Sequence, residues 1–362
     1  MDAKAQMQNL LLHMMDVAAS DLHLCVGMPP IVRIDGELFP VEGVTALSAE
    51  DLKSMVYSMI NDYQRRLFDE RWELDFSYSL PGVSRFRGNI LMQRGTVGCV
   101  LRAVPPRPFT MEELGLPAII PEMCRKPRGL ILICGPTGSG KSTTLAAMID
   151  HINESRKCHI VTIEDPIEFV HRNKKAIVRQ RELGMDTKGF AEALKHVLRQ
   201  DPDVIMVGEM RDLESISLTI TAAETGHLVL ATLHTIGAAT AVDRMIDVFP
   251  PHKQNQVRLQ LSMTLEGVIS QSLVPRADGM GRVLAAEVLL GTPAIRNLIR
   301  EAKTHQIVSM MHSSGAIGMQ TLDYALKRLV EQRVVTLDDA LAESSDPSEL
   351  LRLLGHGHAR SV

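Results

Sequence analysis

The chain has 362 residues, which suggests two domains or slightly more. Hydrophobic residues make up 45% and charged residues 23%, a composition typical of folded globular proteins and unlike that of disordered chains. The formal net charge is −4, so no overall basic field indicates binding to nucleic acid.

The cysteines and the apolar pattern restrict the class further. Five scattered cysteines form no C-x-x-C pair, which argues against a disulfide framework or a zinc ribbon and favours a reducing cytosol. No apolar run approaches 18 residues, and residues 1–16 lack the features of a signal peptide. We therefore expect no direct membrane insertion.

Residues 1–104 predict a small α+β domain. Met7, Leu10, Leu11, Met14 and Ala18 recur at helical spacing, and a second helix is expected near 49–68. Strand patterns lie at 22–26, 30–36, 74–80, 84–94 and 97–104.

Residues 105–115 predict a Pro-rich linker. Pro105, Pro106 and Pro108 favour stiff, extended polyproline geometry. Thr110 and Glu113 then have the spacing of a capping box, which should begin a helix.

Residues 116–343 predict an α/β domain. Apolar strands at 130–134, 159–163, 203–207 and 228–233 alternate with helices near 141–153, 189–199 and 213–224, a pattern typical of a parallel sheet with both faces covered. After about 235 the chain is interpreted as mostly helical. Residues 344–362 are expected to be a loop and a frayed end.

The segment GPTGSGKS matches the phosphate-loop pattern G-x-x-x-x-G-K-[ST] in full, between a strand and a helix. Its glycines allow backbone N–H groups to converge on one anion at a helix start. We expect catalytic Lys141 to reach the β- and γ-phosphates of ATP and Ser142 to bind Mg²⁺. The expected nucleotide-binding residues are Gly135, Pro136, Thr137, Gly138, Ser139, Gly140, Lys141, Ser142 and Thr143.

Two acidic segments follow apolar strands. Glu209 is a candidate Mg²⁺ ligand, directly or through water, on a strand expected beside the phosphate-loop strand; Gly208 occupies the position where an Asp is usual. Glu164 is our candidate for the group that polarises the attacking water. The alternatives are an exposed loop glutamate at Glu209 and a solvated acidic turn around Glu164.

His227 and His234 bracket the strand 228–233, so they lie at opposite strand ends and cannot share one metal ion. His234, at the carboxyl end, is expected to hydrogen-bond the γ-phosphate or an acid. The alternative is a histidine with no functional role.

Arg85 and Arg87 alternate with Phe86 and therefore share one strand face, while Arg102 lies on a later strand. Arginines on a small domain can act in trans on an ATP bound elsewhere. Ordinary surface arginines are an equally good interpretation of this pattern.

With these motifs, residues 20–332 closely resemble the type IV pilus retraction ATPases of the PilT family, within the secretion ATPase superfamily. The resemblance is carried by SDLHL (20–24), SRFRGN (84–89), GPTGSGKSTTLAAMID (135–150), TIEDPIEF (162–169), QRELG (180–184), LRQDPDVIMVGEMRD (198–212), AETGHLVLATLHT (223–235), DVFP (247–250), TPAIRNLIRE (292–301) and GMQTLD (318–323).

The resemblance implies a PAS-like first domain, a RecA-like second domain and a ring of six chains that binds ATP between domains. It implies that Glu164 is the catalytic base, that Glu209 serves the metal, that Arg87 and Arg102 approach the phosphates, and that His234 belongs to a His box. It further implies a cytoplasmic motor, peripheral to the inner membrane, with a PilC-like platform protein and an accessory retraction ATPase as partners.

Departures from relatives refine this expectation. The chain lacks the four-cysteine insert and the longer N-terminal region of extension and type II secretion relatives, which favours retraction. A PilU-like accessory retraction ATPase is the first alternative. A RecA-like nucleic-acid translocase would require a basic groove, and a nucleotide-sensing ring without hydrolysis would not need intact Lys141, Glu164 and Glu209.

Overall fold

A computed structural model describes residues 2–34, 36–105 and 107–355 of the chain. By its internal contacts the chain divides into two compact units. The first comprises Met1–Arg107 with Glu168–Val170, and the second comprises Pro108–Ile167 with His171–Val362. Each unit has its own buried apolar core.

The first unit combines three helices with one six-stranded antiparallel sheet in the order β3-β2-β1-β6-β5-β4. Its elements are α1 (Ala3–Asp16), β1 (Asp21–Leu24), β2 (Ile31–Ile34), β3 (Glu37–Pro40), α2 (Ala49–Tyr57), α3 (Asp62–Arg71), β4 (Glu73–Leu80), β5 (Ser84–Gln93) and β6 (Thr96–Ala103).

Local sequence explains where the predictions for this unit were right and where they were not. Four residues of the predicted stripe, Met7, Leu10, Leu11 and Met14, are buried on α1. Ala18 was wrongly included, because α1 ends at Asp16 and Ala18 is exposed with a φ of +53°. The single helix expected near 49–68 is instead two helices, because Asn61 and Gln64 form a reciprocal capping box that starts α3. Strand β3 was not predicted. All four of its residues are exposed, so its sequence lacks the alternation of apolar and polar residues that predicts a strand.

The second unit is a seven-stranded sheet in the order β13-β12-β7-β11-β10-β8-β9, parallel except for β13. Its elements are α4 (Ile120–Cys124), β7 (Gly129–Cys134), α5 (Lys141–Ser155), β8 (His159–Glu164), β9 (Ile177–Glu182), α6 (Phe190–Val197), β10 (Val204–Val207), α7 (Leu213–Glu224), β11 (Leu228–Leu233), α8 (Ala238–Asp247), α9 (Pro251–Thr264), β12 (Leu265–Pro275), β13 (Arg282–Leu290), α10 (Pro293–Arg300), α11 (Ile307–Ser313), α12 (Leu322–Glu331), α13 (Leu337–Glu343) and α14 (Pro347–Leu353), with 3₁₀ turns at Thr304–Gln306 and Gly315–Ile317.

The parallel strands form the centre of this unit. Every residue of β7, β10 and β11 is buried. Helices α5, α6 and α7 lie between the four predicted strands β7, β8, β10 and β11 along the chain, as the alternating pattern predicts. The strands therefore have apolar packing on both faces, as expected for a parallel sheet.

The capping box at Thr110 and Glu113 forms, with each residue's backbone N–H donating to the other's side-chain oxygen. It does not begin a helix, because the chain makes only a turn before Gly115, whose φ is +66°. The left-handed backbone of Gly115 and the nearby Pro117 prevent this turn from continuing as a helix.

The interpretation of the region after 235 as mostly helical missed two strands. β12 and β13 pair antiparallel over nine residues, and β12 also pairs with β7. Three polar residues, Ser270, Gln271 and Ser272, interrupt the apolar run of β12 and hide its strand pattern. All three are buried, so their pairing partners are visible only in the folded unit. The edge strand β9 was missed for the same reason, since its pattern is largely polar.

The prediction that residues 344–362 form a loop and a frayed end was wrong over its first part. Asp346 caps α14 by accepting from the backbone of Ser348 and Glu349. Leu350 is completely buried within an apolar cluster formed with β12, β13 and the last helices. Residues 356–362 lie outside the described residues.

Among the described residues, no helix combines the length and the apolar character needed to cross a membrane.

Leu350→Ala should lower the free energy of unfolding of the second unit by about 2–4 kcal/mol, since it removes a fully buried side chain and leaves a cavity. Urea denaturation followed by circular dichroism measures the change. The matched control is Arg352→Ala on the same helix. It removes an ion pair that the largely exposed Arg352 makes with Glu349 and should leave the stability close to that of the wild type. Equal effects of the two substitutions would contradict the packing of α14.

Candidate functional site

The phosphate loop joins β7 to α5 at the carboxyl edge of the sheet of the second unit. Gly135, Gly138 and Gly140 have φ values of +144°, +80° and +86°, a backbone region that favours glycine. A side chain at Gly135 would also collide with the backbone oxygen of Gln271, which its Cβ would approach to 2.3 Å. The loop therefore requires glycine both for its backbone angles and for its close packing on β12.

Lys141 is folded back onto its own loop. Its Nζ donates hydrogen bonds to the backbone oxygens of Gly135 at 2.9 Å and Pro136 at 2.8 Å. Burial lowers the pKa of Lys141, and the negative field of Glu209 opposes this effect. The ammonium group is thus held within the loop, at the place where an anion bound by the loop would lie.

Glu209 follows β10 and is held by two basic side chains. The Arg211 guanidinium donates to both of its carboxylate oxygens, at 2.6 and 2.8 Å, and Nε2 of His234 lies 3.0 Å from Oε1. The hydrogen bond from Arg211 lowers the pKa of Glu209, with a further contribution from His234, while burial opposes the shift. Glu209 is therefore ionised at neutral pH, the state that a metal ligand needs. The acid that His234 contacts is Glu209.

The expectation that β10 lies beside the phosphate-loop strand was wrong. β11 lies between β7 and β10, and this order brings His234, at the end of β11, next to Glu209. The glycine at 208 also has a steric reason. A Cβ there would lie 3.0 Å from the backbone oxygen of Ile163 and 3.3 Å from Cα of Glu164, so an Asp would press against β8.

Glu164 ends β8 and is buried, with 7% of its surface exposed. Its Oε1 accepts a hydrogen bond from Thr162 at 2.6 Å and another from Gln180 of β9 at 3.0 Å. Glu182, two residues further along β9, accepts the backbone N–H of Ile167 at 2.9 Å and so fixes the turn that follows Glu164. These contacts favour a fixed carboxylate over a solvated acidic turn.

The loop fits a magnesium nucleotide. Ser142 is exposed in the first turn of α5, beside glycines whose backbone leaves room for an anion. The described residues contain no group of three or more His, Cys, Asp and Glu side chains that could hold a metal ion by themselves. A P-loop magnesium site needs none, since water and phosphate oxygens supply most of its ligands.

The two candidate arginines lie in the first unit, opposite each other on β5 and β6. Nη1 of Arg87 donates to Glu168 at 2.8 Å, and Nε of Arg102 donates to Asp21 at 2.7 Å. Asp21 is buried, which raises its pKa. Hydrogen bonds from Ser20 and Arg102 outweigh that effect and lower the pKa overall. About two thirds of the Arg102 side chain is exposed, so one of its faces is paired and the rest is accessible.

Sequence reasoning missed the residues that support this site. On β12, Ser270 accepts from the backbone of Gly237 after His234, Gln271 donates to the phosphate loop, and Ser272 donates to Glu343 of α13. Three consecutive polar residues inside an apolar run were the available signal. Gln180 and Arg211 were also missed, although they lie in segments quoted for the resemblance.

A family model described as "Type II/IV secretion system protein" matches residues 7–342. The chain is 51% identical to the type IV pilus retraction ATPase PilT of Pseudomonas aeruginosa, over 91% of this chain and 95% of that protein. It is 43% identical to the type IV pilus ATPase PilU of the same organism, over 97% and 92% of the two chains.

A crystal structure of the pilus retraction motor PilT with bound ADP superposes with a TM-score of 0.89 at 49% identity, covering 95% of this chain and 98% of the other. The match to the family spans far more than half of the sequence, and the similarity to PilT extends over nearly the whole chain. This chain therefore belongs to the type II/IV secretion system protein family, as a PilT-family ATPase.

Proposed function

We propose that this chain is an ATP-hydrolysing motor that powers the retraction of type IV pili. The observation that carries the proposal is the convergence of Lys141, Glu164, Glu209 and His234 on one edge of one parallel sheet. The similarity to the type IV pilus retraction ATPase PilT supports the assignment. The sequence identity to PilT is 51%, against 43% to PilU. This difference in identity favours the principal retraction ATPase over the accessory one.

The assembly belongs to the same proposal. Residues 1–104 form a PAS-like domain, 105–115 a linker and 116–343 a RecA-like ATPase domain, on whose last strands and helices α14 packs. Six chains form a cytoplasmic ring beneath the inner membrane, where ATP-driven changes in the ring turn a PilC-like platform protein and so disassemble the pilus. An accessory retraction ATPase is a further partner.

Each site residue has a role that follows from its chemistry. Backbone N–H groups of residues 137–143, in the loop and the start of α5, bind the phosphates, and Lys141 leaves its loop carbonyls to contact the β- and γ-phosphates. Ser142, and Glu209 directly or through water, would hold Mg²⁺, which would supply positive charge beside the phosphates. Glu164, fixed by Thr162 and Gln180, accepts a proton from the attacking water.

The remaining residues respond to the nucleotide. His234 contacts the metal-site carboxylate at 3.0 Å, so a change at Glu209 reaches the loop after β11 directly. Arg87 and Arg102 contact the phosphates of a bound ATP within the ring, as arginine fingers do in related chemistry. The ion pairs that they make with Glu168 and Asp21 hold them on one sheet face.

Lys141→Ala should reduce ATP turnover by about a hundredfold or more, because the developing phosphate charge loses its cation. A phosphate-release assay with Mg-ATP measures this. Lys195→Ala is the matched control, since that lysine makes only an exposed ion pair with Glu214 on another part of the unit. Brisk turnover by Lys141→Ala would place the ATP site elsewhere.

Glu164→Gln should leave ATP bound and uncleaved, since the amide keeps the shape and the accepted hydrogen bonds but cannot take up a proton. Turnover should fall by about 10²–10⁴-fold with little change in ATP affinity. Rapid filtration of bound radiolabelled ATP, together with phosphate release, separates the two. Glu154→Gln on the exposed side of α5 is the control; wild-type turnover in Glu164→Gln would move the base to another residue.

Deletion of the gene should produce cells with excess surface pili that fail to move by twitching, because assembly continues without disassembly. Electron microscopy of pili and a stab-agar motility assay measure the two outcomes, with complementation by the wild-type gene as the control. Bald cells would instead indicate an extension motor.

A further inference from the structure

We propose that Gln271 is a positioning residue for nucleotide binding, which holds the Ser139–Gly140 peptide of the phosphate loop in its anion-binding orientation. Its amide Nε2 donates to the backbone oxygen of Ser139 at 2.6 Å, across 132 residues of sequence. The inference rests on the proposed ATP site and adds a residue from β12 that no nucleotide motif contains.

Both residues of this contact are buried. Gln271 is 2% exposed and Ser139 is 3% exposed. Oε1 of Gln271 is buried without a hydrogen-bond partner among the described residues, so the amide interacts with its surroundings through Nε2. Because the partner is a carbonyl oxygen, only the NH₂ end of the amide can face it.

The register of the sheet fixes this geometry. Ser270 of β12 pairs with Cys134, the last residue of β7, so Gln271 lies beside the first residue of the loop. The backbone of Gln271 approaches Gly135 so closely that a Cβ there would not fit. The backbone of one residue thus packs on the start of the loop while its side chain reaches residue 139.

A peptide group is planar and trans, so its C=O and N–H point in opposite directions. Directing the Ser139 oxygen towards Gln271 therefore directs the N–H of Gly140 away from β12. The N–H groups at this start of α5 are the donors that a phosphate-binding loop presents to its anion.

Gly140 makes such an anchor necessary. Its φ is +86°, and glycine moves readily between backbone regions, so the preceding peptide has little intrinsic resistance to rotation. Lys141 anchors the loop at Gly135 and Pro136, at the other end. At this end the Ser139 N–H donates to Pro136 and the Gly140 oxygen accepts from Thr144 of α5, while Gln271 holds the Ser139 oxygen.

The expected consequence is weaker binding of the phosphates with little change in the chemical step. Without Gln271 the peptide samples other orientations, and only the fraction in the right one binds nucleotide. The interaction is the same for substrate and transition state, so the KM for ATP rises while kcat is retained.

The substitution Gln271→Met, introduced into the full-length chain, tests this. Methionine matches glutamine in length but cannot donate a hydrogen bond. We expect the KM for Mg-ATP and the Kd for Mg-ADP, measured by calorimetry, to rise about five- to twentyfold, with kcat within about twofold. Gln271→Asn, whose amide is one methylene too short to reach Ser139, should act in the same direction and carries the test if the Met variant does not fold.

Lys195→Ala is the control, since this lysine forms an exposed ion pair with Glu214. It should leave the KM and the Kd unchanged. A KM and a Kd equal to those of the wild type in Gln271→Met, with the wild type active, would overturn the inference and leave the proposed function intact. A wild type that binds Mg-ADP but does not hydrolyse ATP would overturn the function, while weaker ADP binding by Gln271→Met would still support the inference.

Discussion

The carboxyl ends of four adjacent parallel strands, β7, β11, β10 and β8, meet at one edge of the second unit, and the candidate ATP site depends on that geometry. Each strand contributes one part. The first leads into the phosphate loop, and the others end at His234, Glu209 and Glu164 in that order. Helix starts and strand ends together concentrate anion-binding N–H groups and carboxylates in one place. The order of the strands in the sheet therefore determines where the phosphate loop, His234, Glu209 and Glu164 lie.

Support for these groups comes from neighbouring strands. β9 fixes Glu164 through Gln180, and β11 gives Glu209 a histidine neighbour. β12 contacts the loop after His234, the phosphate loop and α13 through three consecutive polar residues. Because buried polar groups without partners are unfavourable, such contacts make the arrangement specific. The ATP site is thus connected by hydrogen bonds to the C-terminal helices, which no nucleotide motif includes.

The AIRNLIRE segment illustrates how one motif combines structural and exposed residues. Ile295, Leu298 and Ile299 are buried, as helical spacing predicts. Arg296 on the same helix donates to the backbone oxygens of Gly291 and Met263 and pairs with Glu266. It stabilises the junction of α9 with β12, while Arg300 remains exposed. A surface role for this helix must therefore come from Asn297, Arg300 and Glu301.

The sequence alone determined what local chemistry specifies: the phosphate loop, the alternation of apolar strands and helices, the buried stripe of α1 and the acids after β8 and β10. It could not provide the strand order, which placed β11 between β7 and β10, or the paired strands β12 and β13. Those depend on contacts between residues far apart in the chain, and a buried Gln271 or an exposed β3 has no local periodicity that marks it. The sequence also could not determine where helices begin. One capping box starts α3, while another, at Thr110, forms only a turn. Packing partners, which exist only in the folded chain, decided between these outcomes.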